Sequence, residues 1–164
     1  MRNRAGYFAA VLFAIGVFTA VSSLAALVEA ADRPSRSVLI IDTTRAPVRF
    51  EVEVVADEAA RSRGLMYRKQ LGRNAGMLFE FPDDDYRVFW MKNTILPLDM
   101  LFIRKDGTVS SIAADTTPYS ESPISSTEPV RAVLEINSGR AAALGIVPGS
   151  RVHGSFFAGG RDKP

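Results

Sequence analysis

From residue 48 to residue 54 apolar and charged side chains alternate without a break: Val48, Phe50, Val52 and Val54 against Arg49, Glu51 and Glu53. A period of two puts all four apolar groups on one face only if the backbone is extended, so the segment requires a sheet with one covered side. Other runs have the same strand-like length: Val38–Asp42, Gly76–Phe81, Val109–Ala114, Ala132–Asn137 and Arg151–Phe157. The apolar stretch Val88–Ile103 fits two strands around a turn at Asn93 to Pro97, and Lys105-Asp106-Gly107 predicts a hairpin into Val109. Pro82 and Asp83 to Asp85 are expected to end the strand before them.

Helical signals are few. Asp57 can cap a helix that carries Glu58 in its first turn and stops at Gly64; Ser138 to Leu144, closed by Gly145, reads as a second. Strands and helices do not alternate regularly, which predicts a mainly β or α+β fold, a compact antiparallel sheet or barrel-like domain with two short helices. Residues 115–131 break the pattern, with three prolines, seven serines or threonines and no glycine. Aperiodic segments of this length inside a domain are often lids or binding loops.

The first thirty residues read as an address. Arg2 and Arg4 precede an uncharged apolar stretch from Tyr7 to Val28, and Val28-Glu29-Ala30 offers small residues where a signal peptidase cuts. The expectation is a secretory signal, residues 1–30, cleaved after Ala30 to give a periplasmic or secreted protein. The alternative is an uncleaved inner-membrane anchor, because the stretch approaches the roughly 20 residues that span a bilayer. Residues 31–46 then form a flexible lead-in and a first short strand, residues 47–157 the domain, and residues 158–164 a frayed tail.

Those thirty residues hold Arg2, Arg4 and Glu29, so the remainder is nearly balanced in charge at +1. No stripe of Lys and Arg with interleaved aromatics is present, and nucleic acid is not an expected partner. The chain has no cysteine and one histidine, His153. Disulfides, thiolate metal sites, a cysteine nucleophile and multi-histidine metal centres are thereby excluded, and no metal or cofactor is expected. An exported protein without disulfides must stand on its core alone, and roughly 130 residues suffice for that.

Polar residues embedded among apolar ones are the remaining guide, because burial without a partner costs about 1–3 kcal/mol. Trp90-Met91-Lys92-Asn93-Thr94 and Pro97-Leu98-Asp99 place an aromatic platform, a cation and a carboxylate around one turn. Asp99 either lines a pocket there or accepts backbone N–H bonds from Asn93 to Leu96. Glu135, in Val133-Leu134-Glu135-Ile136-Asn137, either faces water or shares a groove with Asp99, and two carboxylates in one cleft can cut a glycosidic bond. Met66, Met77, Met91 and Met100 each adjoin Leu, Phe or Trp and read as core. Asp83 to Asp85 reads as a solvated turn, and Ser150 with His153 lacks a third member for a nucleophile system.

Taken in order, Gly64-Leu65-Met66 with Arg68, Gly76-Met77-Leu78-Phe79, Trp90 to Thr94, Pro97-Leu98-Asp99, Val133-Leu134-Glu135, Asn137, Gly139 and Gly149 resemble the DUF192 family of small, often exported bacterial and archaeal proteins. The resemblance spans about residues 47 to 153. It implies a compact β-rich single domain and no particular reaction, and it puts forward Trp90, Lys92, Asn93, Thr94, Asp99 and Glu135. The expectation is a monomer that binds a small polar ligand, a glycan or a peptide at those six residues, under the 115–131 loop as a flap. It would meet a membrane only through an uncleaved signal. A hydrolase of envelope polysaccharide using Asp99 and Glu135, with Lys92 as a further catalytic candidate, is the alternative. A structural or interaction protein of the envelope is the third reading.

Overall fold

The computed structural model describes residues 34–157. The signal or anchor expected at residues 1–30, the start of the lead-in and the tail lie outside them. Eleven elements follow in order: β1 (Ser35–Ile41), β2 (Val48–Val55), α1 (Glu58–Arg63), β3 (Ala75–Asp85), β4 (Val88–Phe89), β5 (Leu98–Ile103), β6 (Val109–Ala113), β7 (Ile124–Ser125), β8 (Val130–Asn137), α2 (Arg140–Leu144) and β9 (Val152–His153). The fold is mostly β with two short helices. None of the described helices is long and apolar enough to cross a membrane.

Seven strands form one curled, half-barrel sheet in the order β6-β5-β8-β3-β2-β1-β9, while β4 and β7 make a separate two-stranded ribbon. Every pairing is antiparallel except β2 with β3, which run parallel because α1 carries the chain between them. The two outer strands of the curl meet at one end. Thr108 bridges Arg151, Val109 N–H donates to Ser150 O and Val152 N–H to Gly107 O, both at 2.8 Å.

Curling separates the apolar residues into two clusters. Leu39, Ile41, Phe50, Val52, Leu78, Leu101, Ile103, Leu134 and Ile136 fill the inside, with Ala141, Ile146 and Phe157 against them. Met77, Phe79, Met100, Phe102 and Val133 point outward and are covered by Ala60 of α1, Leu65, Phe89 and Met91. This double covering explains why β5 is buried at all six positions, whereas β2 exposes Arg49 and Glu51 and buries Phe50 and Val52. Strands buried on both faces lose their alternation.

Local signals place the elements as expected in several cases. Asp57 accepts the Ala60 N–H at 2.8 Å and starts α1; Gly64 ends it at φ 48°. The Asp106–Gly107 turn joins β5 to β6. Three expectations are corrected. The lead-in is already strand from Ser35, because Ser35 to Ser37 pair with Val54 to Val52. β3 runs on through Pro82 to Asp85; β2 pairs only as far as Phe79, so the missing proline N–H falls on a free edge where the ladder to β8 also shifts. The stretch 88–103 is no hairpin: β4 pairs with β7, while β5 pairs with β6 and β8.

Candidate ligand-binding cleft

An open cleft of about 310 Å³ lies on the outer side of the sheet. Its floor is Phe79 and Phe81 of β3 with Glu135 of β8. One wall is α1 continued into Leu65 and Met66; the other is Val88 to Trp90 with Thr94. Met77, Phe79 and Phe81 alternate along β3 and so share this face. Phe89 closes over it edge-on, with its ring 5.1 Å from Phe79, 6.5 Å from Phe81 and 6.3 Å from Phe102. The Arg61 and Arg87 guanidiniums stand 5.1 Å and 4.1 Å from the Phe81 ring centre.

Glu135 is the polar group on this floor. In register it lies between Met77 of β3 and Met100 of β5, and only 5% of its surface is exposed. No charge or hydrogen bond offsets the loss of water; burial alone pushes its carboxyl up to about 8. At neutral pH the group is therefore mainly the neutral acid, able both to donate and to accept a hydrogen bond. Gly76 lets β8 come this close, since a Cβ there would stand 2.6 Å from the Glu135 carbonyl oxygen.

Of four further residues of the expected site, Trp90 and Thr94 line the cleft, whereas Lys92 and Asn93 lie beside it and are not part of its lining. Trp90 is half exposed at the rim, with Lys92 Nζ 5.6 Å from its ring centre and 3.5 Å from Glu121. Thr94 is buried in the wall, its hydroxyl donating to Lys92 O at 3.2 Å. Asn93 sits in the turn at φ 54°, a conformation asparagine tolerates better than most, and its carbonyl accepts the Tyr67 N–H at 2.9 Å.

Asp99 is elsewhere. It pairs in register with Ile136, whereas Glu135 pairs with Met100, so the two carboxylates point to opposite faces of the sheet. Paired acid–base carboxylates are not formed. Nor does Asp99 cap the turn at Asn93 to Leu96: fully buried, it accepts N–H groups from Asp115 at 2.9 Å, Gly139 at 3.1 Å and Ala141 at 2.9 Å, which fastens the start of α2 to the sheet. The segment 115–131 does not form a flap either. It contributes nothing to the cleft lining and is stitched behind β4 through Thr116 N–H to Leu98 O, Tyr119 N–H to Thr94 O, Met91 N–H to Ser120 O and the β7 pairing.

The remaining polar candidates are structural. Asp83 is paired with Arg87, Asp84 with Arg131 and His153 with Asp42, and Ser150 accepts the Val147 N–H. Met77, Met91 and Met100 are buried core, and no cluster of metal-binding side chains occurs among the described residues. Of the apolar residues that build the cleft, the sequence reading places Met66 in the core and Leu65 and Phe79 in family motifs, and it assigns none of Leu65, Met66, Phe79, Phe81 and Phe89 to a site. The Met77-Phe79-Phe81 alternation within the expected strand Gly76–Phe81 is the signal that marks this face.

The model of DUF192, described as "Uncharacterized ACR", matches residues 39–154. The chain belongs to the DUF192 family. Two solved structures are similar to this DUF192 domain. A Sinorhizobium meliloti protein described as a "putative transcription regulator" is 41% identical with a TM-score of 0.74, over 76% of this chain and 98% of that one. A protein of unknown function from Novosphingobium aromaticivorans is also 41% identical, with a TM-score of 0.70, over 72% and 84% of the two chains. No curated protein matches the chain.

Proposed function

We propose that this DUF192 domain is an exported, non-enzymatic binding module that holds a small polar ligand, a glycan or a peptide in the cleft between α1 and β4. Glu135 carries the reading. Its carboxyl is raised by burial and lies in the lining of the cleft, where a ligand atom can share its proton. The apolar walls supply contact area, and the half-exposed Trp90 gives the rim a flat surface for stacking. Export is supported by the charged start, apolar stretch and small residues of the first thirty positions.

Hydrolysis by two carboxylates is not carried forward, because Asp99 lies on the other face and both its oxygens accept backbone N–H groups. The test is a screen of the purified protein by thermal shift against oligosaccharides, peptides and small hydroxylated or carbonyl compounds, repeated on Glu135→Leu. A compound that raises the melting temperature of the wild type and not of the folded variant supports the reading. A compound that protects both equally, or a screen without any stabilising compound, overturns it.

A further inference from the structure

The wall of the cleft formed by β4 is the edge of a strand. β4 pairs with β7 on one side only, Val88 opposite Ser125 and Phe89 opposite Ile124, and Ser126 N–H donates to Arg87 O at 2.9 Å. In an antiparallel ladder the residues that bond the partner alternate with residues whose N–H and C=O point the other way. Arg87 and Phe89 therefore face β7, and Val88 and Trp90 turn their backbone groups to the opposite side. That side is the cleft, which Val88, Phe89 and Trp90 line while β7 does not. The facing wall is a helix, and no strand among the described residues occupies this edge.

An unpaired edge beside an apolar floor is the geometry that an added strand needs: main-chain hydrogen bonds along the edge, and a pocket for alternate side chains. We propose that the cleft takes an extended peptide segment of another protein, which pairs with the Val88–Trp90 edge and drops one apolar side chain onto Phe79 and Phe89. This rests on the ligand-binding reading above and names its occupant. The unpaired β4 edge favours a peptide over a glycan, and Leu65, Met66, Phe79, Phe81 and Phe89 offer contact area to its apolar side chain. Charge selects the flank. Arg63 lines the α1 side with no ion pair among the described residues, so an acidic residue next to the anchor is favoured.

The probe is a phage-displayed library of random linear peptides panned against the purified protein, followed by synthesis of the enriched peptides with single backbone N-methyl groups. Pairing along an edge predicts an alternating pattern. Methylation of every second amide weakens binding roughly fivefold or more, and methylation of the amides between them leaves Kd nearly unchanged. Val88→Pro, which removes a donor aimed at the cleft and leaves the Phe89–Ile124 pairing intact, should weaken the same peptides while retaining the fold; the methylated peptides give the same information on the wild-type protein if it does not fold. Binding indifferent to N-methylation at every position overturns the proposal, as does a library that yields no enriched peptide. In that last case an oligosaccharide or small molecule that shifts the NMR signals of Glu135 and Thr94 leaves the ligand-binding reading standing, and the absence of any such shift removes both.

Discussion

Replacing Glu135 by Gln should stabilise the protein at neutral pH, and the gain should vanish in acid. The side chain keeps its shape and hydrogen-bonding capacity but can no longer ionise. In the wild type, the carboxyl is raised from 4.5 to about 8 by burial. Below pH 4.5 the folded and unfolded chains both hold the proton, and the group costs nothing. Above it the unfolded chain releases the proton while the folded chain retains it, so stability falls by about 1.4 kcal/mol per pH unit until roughly pH 8 and then levels off. At pH 7 the interval is roughly 2.5 units, a penalty of about 3 kcal/mol that Glu135→Gln does not suffer.

Urea denaturation of both proteins at pH 5, 6, 7 and 8 measures the difference directly. Glu80 is also raised by burial and tilts both curves in the same sense, but it cancels in the difference. The expected result is a gap in unfolding free energy that opens steadily with pH, at nearly equal m-values. A gap that is constant from pH 5 to pH 8 would mean that Glu135 ionises in its place without penalty, by water or a neighbouring charge. Desolvation would then not be what holds the Glu135 proton.

Asp99→Ala should cost roughly 3–5 kcal/mol in urea unfolding, since it strands the N–H groups of Asp115, Gly139 and Ala141; a loss below about 1 kcal/mol would refute the structural role. Trp90→Ala should leave the melting temperature within about 2 °C of wild type, because the ring is half exposed, and should weaken whatever ligand the screen returns. Gly76→Ala should destabilise by about 2–3 kcal/mol through the clash with the Glu135 carbonyl oxygen; wild-type stability in calorimetry would show that β3 and β8 can part there freely.

Most strands were legible because their side chains have one wet and one dry face, as in β2, or are bounded by turn residues, as at Asp106–Gly107. α1 was legible because Asp57 and Gly64 mark its two ends chemically. What stayed hidden depends on pairing between distant segments. Nothing in Thr108 or Arg151 announces that their backbones meet, and the course of β3 through Pro82 is permitted only because β2 has ended beside it. The site was legible to the same extent. Trp90, Thr94 and Glu135 were picked out as polar or exposed groups in apolar company and do line one cleft. Asp99 was picked out by the same criterion and is not there, since residue parity along β5 and β8 becomes a shared face only once the register Asp99–Ile136 is known.

Asp99 and Glu135 show why burial alone does not mark a functional carboxylate. They sit on adjacent strands, one register position apart, and both are nearly inaccessible. The difference lies in what each side of the curled sheet can supply. On the inner face the chain returns at Asp115, Gly139 and Ala141 with backbone donors that have no other partner, so Asp99 closes three hydrogen bonds and its burial is offset within the fold. On the outer face Glu135 meets methionines and phenylalanines, which cannot donate, and a half-open cleft. Substituting an apolar residue at 135 would complete that cluster at no polar cost, so stability alone gives no reason for a carboxyl group there. The binding reading proposed above gives one: a ligand or peptide in the cleft that shares the proton of Glu135.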